Sequence, residues 1–244
     1  SETDYPTDTA SAYGQKQDSF GGDALTLDFN HFGRDWAYEF GYRDLSRDFR
    51  ADYGYIPRVD VRTASGMVHR IIWGKPGDWF TRITFGAIGE ATYDYHGKLT
   101  DSTFALGPGY MGPLQSIFQV VYFRERELYL ENVYDKDQVS IYGEIKPWGG
   151  VRFTFNSWFG DAVDYQNARK ASALDLMPSA EFSLGRHLNI NFQHDFQRFT
   201  LKGEEIFQAN LSQLKVVYNI SVRLFVRAIV QYLDLSRNQE LYIY

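Results

Sequence analysis

The side chains that could carry out acid–base or metal chemistry are few and poorly spaced for it. The 244 residues include five histidines and no cysteine, so thiolate sites and cysteine nucleophiles are excluded. The histidines lack the spacing of a metal site. His194 and Asp195 are adjacent, but neighbours in a strand point to opposite faces and would not easily touch. The sequence therefore predicts no metal, no cofactor and no catalytic residue, and a hydrolase assembled from several strands stays an alternative.

Two further features of the sequence, a glycine pattern and the net charge, indicate neither a dinucleotide site nor a nucleic-acid partner. The segment 107–112 reads Gly-Pro-Gly-Tyr-Met-Gly, which matches the glycine pattern of dinucleotide-binding folds. That pattern requires a preceding strand and a following helix, and no helical period follows it here, so we interpret it as a loop. The formal net charge is −6 and no Lys/Arg block stands out, so nucleic acid is not an expected partner.

Charged residues recur at alternate positions, opposite to apolar ones. In the segment 188–196, apolar residues alternate almost completely with Asn, Gln and Asp. The charged positions predicted to line a lumen are Glu39, Arg43, Arg58, Asp60, Arg62, Arg82, Glu90, Glu144, Lys146, Arg152, Glu181, Asp195 and Arg227. They could form a selectivity lining for polar or charged solutes, or a salt-bridge ladder that fills a closed barrel. Arg58, Asp60 and Arg62 are predicted to share one face and form the most concentrated cluster.

The elements that position these residues are β-strands. From Ala24 onward the hydrophobic period is two, in segments broken by Gly, Pro, Asn and Asp, and no helical period is convincing. About twelve strands are predicted, at 24–31, 36–43, 57–73, 79–95, 99–107, 115–130, 139–145, 151–156, 172–184, 188–196, 206–222 and 224–234. Longer polar loops are predicted around 44–56, 107–114, 131–138 and 161–171. Residues 1–23 are predicted to form a polar lead-in or loop, and residues 24–244 are predicted to form a barrel region.

Strand length and aromatic content distinguish a membrane barrel from a soluble β-protein. Aromatic residues make up 17% of the chain, although the mean hydropathy is −0.40. No apolar run reaches the 18 residues that a spanning helix needs, but barrel strands alternate and average to a polar sequence. The predicted membrane-interface aromatics are Trp36, Tyr42, Trp79, Tyr93, Tyr95 and Trp158. We therefore predict an all-β fold, an antiparallel transmembrane β-barrel, with a soluble β-protein as the alternative.

Two segments resemble one uncharacterised bacterial family. They are Asp48–Arg62, which reads DFRADYGYIPRVDVR, and Val222–Tyr232, which reads VRLFVRAIVQY. Members of that family join a periplasmic family-9-like carbohydrate-binding domain to a C-terminal outer-membrane β-barrel of unknown function. With the intervening strand spacing, the resemblance covers most of residues 24–234. It implies that these strands belong to the C-terminal part of a larger barrel, although the carbohydrate-binding domain is absent from this sequence.

The resemblance and the alternation together favour a passive channel or binding barrel for polar solutes in a bacterial outer membrane. Saccharide is the solute class that the family's attached domain implies. The expected partners are outer-membrane lipid, a saccharide or other polar solute, and a periplasmic or surface protein. Two alternatives stay open: a non-conducting scaffold barrel that anchors such a protein, and an outer-membrane hydrolase.

Overall fold

The computed structural model describes residues 3–4, 19–50, 56 and 58–237. A short ladder joins β1 (Thr3–Asp4) to β2 (Ser19–Phe20), and twelve long antiparallel strands form one further sheet. These strands are β3 (Ala24–Phe32), β4 (Trp36–Leu45), β5 (Val61–Trp73), β6 (Arg82–Asp94), β7 (Leu99–Gly112), β8 (Ser116–Tyr129), β9 (Asn132–Ile145), β10 (Val151–Asp164), β11 (Arg169–Leu184), β12 (Leu188–Leu201), β13 (Glu204–Asn219) and β14 (Phe225–Arg237). Within the described residues no helix is long and apolar enough to cross a membrane.

The prediction of an all-β chain with about twelve antiparallel strands is confirmed. The strands of the large sheet are 9–16 residues long, and each pairs with its neighbours in the sequence. Tight turns separate several of them, and glycines with positive φ occur in such turns, among them Gly97 (φ 82°) and Gly203 (φ 91°). Parts of the predicted lead-in (1–2 and 5–18), of the connection (51–55 and 57) and of the predicted barrel region (238–244) lie outside the described residues.

The large sheet is open. Its outer strands are β3 and β14, and no ladder joins them within the described residues. Every residue of both strands is exposed. An unpaired outer strand presents free N–H and C=O groups to a further strand. Closure into a barrel is therefore not seen in this structure.

The sheet has two chemically different faces, which the register defines. The face that carries Phe85 of β6, called the aromatic face, also carries Arg70 and Pro108 on the adjacent strands. The face that carries Glu90, called the polar face, also carries Ser65 and Thr103. Large apolar side chains of the aromatic face are 38–66% exposed from one outer strand to the other: Leu27, Phe29, Phe40, Phe85, Leu106, Phe118, Phe153, Phe155, Phe192, Leu214, Val230 and Tyr232. No second layer of the described residues covers them.

Three of the four predicted long loops are wrong. Residues 107–112 belong to β7, residues 132–138 belong to β9, and only residues 165–168 separate β10 from β11. The polar character that suggested loops at 131–138 comes instead from cross-strand ion pairs, such as Asp135 with Arg126 at 2.8 Å. The long connection predicted at 44–56 corresponds to the interval 46–60 between β4 and β5, of which residues 46–50, 56 and 58–60 are described.

The glycine-rich segment 107–112 lies inside a strand because glycine allows a close approach there. A Cβ on Gly107 would lie 1.9 Å from the carbonyl oxygen of Val120 on β8. Pro108 pairs with Phe85 on β6, while the register with β8 is interrupted between Leu106 and Gly109. Proline has no N–H for a ladder, so the interruption on one side accommodates it.

Candidate functional site

Most of the predicted lumen residues lie on the polar face. The register places nine of them there: Glu39, Arg43, Arg82, Glu90, Glu144, Arg152, Glu181, Asp195 and Arg227. Lys146, just after β9, contacts Glu144 of this face at 3.3 Å. Arg58 contacts Asp101, which lies opposite Thr92 on the same face.

The predicted cluster of Arg58, Asp60 and Arg62 is not brought together. Asp60 adopts a positive φ of 63° in the connection and pairs with Arg47 at 3.3 Å. The strand β5 begins only at Val61, so the alternation does not extend back to residue 58. Arg62 lies opposite Tyr93, on the aromatic face.

Most of the polar-face charges on β8–β11 are paired across strands, whereas Asp175 on β11 forms no ion pair with a described residue. Lys136, whose side chain is only 11% exposed, lies 2.9 Å from Glu125 and 2.8 Å from Glu127. Arg169 contacts Asp164 at 2.9 Å, and Arg152 contacts Glu181. We call these pairs, together with Glu144–Lys146, the charge ladder.

Tyr165, in the turn 165–168, extends the charge ladder at one end. Its hydroxyl donates to Glu127 at 2.8 Å. Partial burial, and then the hydrogen bond to the Glu127 carboxylate, raise the pKa of Tyr165 above its ordinary value. The phenol is therefore held in its neutral, donating form.

Four charged residues of the polar face on β3–β6 are not paired. The side chains of Asp28, Glu39, Arg43 and Glu90 make no hydrogen bond or ion pair with any described residue. Asp28, Gly41, Ser65 and Glu90 lie side by side across four strands. Gly41 has no side chain, and a Cβ there would lie 2.8 Å from Ser65 Oγ and 3.4 Å from Asp28 Oδ1.

Two adjoining cavities lie over this unpaired region. The smaller, of about 210 Å³, is lined by the hydroxyl and charged residues Thr26, Asp28, Arg43, Thr63, Ser65 and Glu90. The larger, of about 530 Å³, shares Thr26, Arg43 and Thr63 with it and adds Leu45, Phe49, Ile56, Arg58, Val61, Thr92 and Asp101. Arg43 therefore borders both cavities.

A third cavity, of about 580 Å³, lies at the end of the sheet opposite to the connection 46–60. Trp148, with 63% of its surface exposed, lines it beside Lys146, Arg152 and Glu181. An exposed aromatic ring next to charged hydrogen-bonding groups can contact the apolar side and the edge of a solute.

Five of the six predicted interface aromatics lie on the aromatic face or at its ends. Trp36, Tyr42 and Tyr93 are on that face. Trp79 stacks on Tyr110 with ring centroids 5.5 Å apart, and Tyr95 donates a hydrogen bond to Asp44. Trp158 is on the polar face, opposite Asp175, because β10 continues beyond the predicted end of the strand at 156.

Tyr95 and two charged residues form a cluster that sequence reasoning missed. Arg62 Nε lies 3.2 Å from Asp44 Oδ2, and the Arg62 guanidinium lies 4.2 Å from the centre of the Tyr95 ring. The hydrogen bond to the Asp44 carboxylate raises the pKa of Tyr95. The three residues are 18 and 33 positions apart in the sequence, so no short motif signals them.

The histidines make no metal site. Among the described residues, no group of three His, Cys, Asp or Glu side chains could hold a metal ion. His194 Nδ1 lies 2.8 Å from Ser212 Oγ, whereas Asp195 accepts from Gln193 on the opposite face. Comparison of the chain with protein-family models, with curated proteins and with solved structures gave no match.

Proposed function

We propose that this chain forms the wall of a β-barrel in a bacterial outer membrane. The aromatic face contacts lipid, and the polar face lines a lumen for the passive passage or binding of polar solutes. The exposed aromatic face, continuous across twelve strands, is the observation that carries this proposal. Soluble monomers rarely expose an apolar patch larger than a few hundred Å². The strands also match or exceed the roughly 9–11 residues that a tilted strand needs to cross a bilayer.

The distribution of charge on the aromatic face supports this orientation. Its ion pairs gather at the end of the sheet that carries the connection 46–60: Asp44–Arg62, Arg124–Asp137, Arg126–Asp135 and Asp161–Lys170. Trp36 and Trp79 lie at the other end. Charged and aromatic residues near the two ends, with an apolar region between them, suit the two polar boundaries of a bilayer.

Polar solutes are the proposed cargo, and saccharides are the first class to test. The family resemblance implies them, and the exposed Trp148 beside Arg152 and Glu181 offers a ring and hydrogen-bonding groups for a sugar. The protein is not proposed to be an enzyme and needs no cofactor.

The second candidate is a non-conducting scaffold that anchors a periplasmic or surface protein, and the charge ladder favours it because paired side chains can fill a lumen.

Single-channel conductance of the full chain in a planar bilayer tests the passage. We expect stepwise conductance that small oligosaccharides block, and Trp148→Ala should weaken the block. A folded and inserted protein that conducts nothing would favour the scaffold. Conductance that sugars do not block would support the channel but contradict a saccharide as its solute.

Paired arginine substitutions test which face contacts lipid. Phe155→Arg, on the aromatic face between Gly143 and Pro178, should destabilise the inserted protein by about 2–4 kcal/mol. Asn156→Arg, on the polar face of the same strand, should cost less than about 1 kcal/mol. Insertion into lipid vesicles, measured by protection from protease, compares the two variants. Equal losses would contradict the assignment of the faces.

A further inference from the structure

The larger cavity on the polar face has the form of a small-molecule site. Phe49, Ile56 and Arg58 of the connection line this cavity together with residues of β3–β7, and Arg58 Nη1 contacts Asp101 Oδ2 at 2.5 Å. The base of the cavity is apolar, since Leu45 and Val61 are only 9% and 6% exposed and Phe49 lies beside them. A mainly apolar cavity with a few convergent polar groups is the usual form of a ligand site.

The smaller cavity supplies the charged part of the site. Asp28 and Glu90 stand on either side of Gly41 and Ser65, and the missing side chain at Gly41 leaves the space between them open. The hydroxyls of Thr26, Thr63 and Ser65 complete the lining. Arg43 borders both cavities.

Charges of both signs line the smaller cavity and do not pair with each other. Arg43 forms no ion pair with Asp28, Glu90 or any other described residue. A bound solute can therefore provide the missing partners: an ammonium group for the carboxylates and a carboxylate for the guanidinium, whose fork binds two oxygens at once. An apolar substituent on the same solute would reach the base of the larger cavity.

We propose that the two cavities form one binding site for a small zwitterion with an apolar side chain, of the amino-acid type. A simple anion would meet two carboxylates, and a simple cation would leave the Arg43 guanidinium without a partner. A solute without an apolar group would leave the cavity base unfilled. The inference rests on the proposed function only in that the polar face must be open to solute.

Three probes that share the isobutyl side chain of leucine test the charges, and glycine tests the apolar pocket. L-Leucine carries both charged groups, 4-methylpentanoate carries only the carboxylate, and 3-methylbutylamine carries only the ammonium. Calorimetric titration of the full chain, folded in detergent micelles, should give L-leucine an affinity at least about tenfold above each other probe, because each lost charge-assisted hydrogen bond is worth about that factor. Equal affinity for L-leucine, the anion and the cation would overturn the proposal.

Two substitutions should act with opposite preference. Arg43→Gln should weaken the binding of L-leucine about tenfold and leave the binding of 3-methylbutylamine unchanged. Glu90→Gln should weaken the binding of L-leucine and of the amine, but 4-methylpentanoate should bind no more weakly than to the unsubstituted protein. The double variant D164N/R169Q, which removes a paired couple elsewhere on the same face, is the matched control and should leave all affinities unchanged. Circular dichroism establishes that each variant folds. Binding of L-leucine that neither single variant alters would overturn the site.

The binding and conductance results separate the two proposals. Conductance without L-leucine binding would overturn the proposed zwitterion site and support the proposed channel. Binding of L-leucine by a protein that conducts nothing would overturn the proposed channel and support the zwitterion site, which would then lie on the wall of a closed barrel.

Discussion

Two regions of the polar face both contain charged residues but use them differently. On β8–β11 most of the charges form cross-strand pairs, and Lys136 is shared between Glu125 and Glu127. On β3–β6, Asp28, Glu39, Arg43 and Glu90 contact no oppositely charged residue that the structure describes. Charges that pair with each other stabilise the sheet, whereas unpaired charges remain available to a solute. The comparison indicates that the two regions differ in role, one structural and one for recognition.

Removing the buried cation of the charge ladder should give the largest loss of stability. Lys136→Met leaves Glu125 and Glu127 close together without a counter-charge, so we expect the free energy of unfolding to fall by about 2–3 kcal/mol. Arg43→Met is the matched control in the unpaired region and should change stability by less than about 0.5 kcal/mol. Urea unfolding in lipid vesicles, followed by tryptophan fluorescence, measures both. A comparable loss of stability in Arg43→Met would contradict the distinction between the paired and the unpaired region.

The phenol at the end of the charge ladder should make stability depend on alkaline pH. Because the pKa of Tyr165 is raised in the folded protein, its hydrogen bond contributes fully below the unfolded pKa of about 10 and is lost as the pH rises through the folded pKa. Tyr165 is half exposed, so the loss should be at most about 1 kcal/mol. Tyr165→Phe should remove this part of the pH dependence. An unchanged alkaline profile in the variant would show that the bond to Glu127 contributes nothing.

The exposed pair of the charge ladder should give the smallest effect. Arg152 and Glu181 have side chains 45% and 36% exposed, so a double-mutant cycle with R152Q and E181Q should give a coupling energy of about 0.2–1 kcal/mol that decreases with added salt. This value sharpens the comparison, because it ranks pairs within the ladder by their burial. A coupling larger than the loss at Lys136 would contradict that ranking.

The hydrophobic period predicted most of the fold because each strand's alternation is recorded in adjacent residues. Asp28, between Leu27 and Phe29, carries the same signal and could have been added to the polar positions. The period fails where a strand's limits are misjudged: Trp158 was assigned to the wrong face because β10 is longer than predicted. Arg62 was assigned to the wrong face because the prediction followed its charge, which pairs with Asp44 at the end of the aromatic face.

The cavities could not be predicted because they depend on contacts distant in the sequence. Arg58 meets Asp101, and Asp28 shares a cavity with Glu90, through the register of intervening strands and the course of one connection. Cross-strand pairing also explains why part of β9 was predicted as a loop. The charges of residues 131–138 are typical of a loop when the sequence is considered alone, and their partners lie on β8.

The strictly sequential pairing of the sheet makes its width modular. No interior strand is joined to a partner remote in the chain, so a hairpin gained or lost at β3 or β14 would leave every other ladder intact. Each added hairpin would widen the wall by about 10 Å, twice the spacing between neighbouring strands. Duplication of hairpins during evolution could therefore change the circumference of a barrel built with this wall, while the five adjacent strands around Arg43 kept their arrangement.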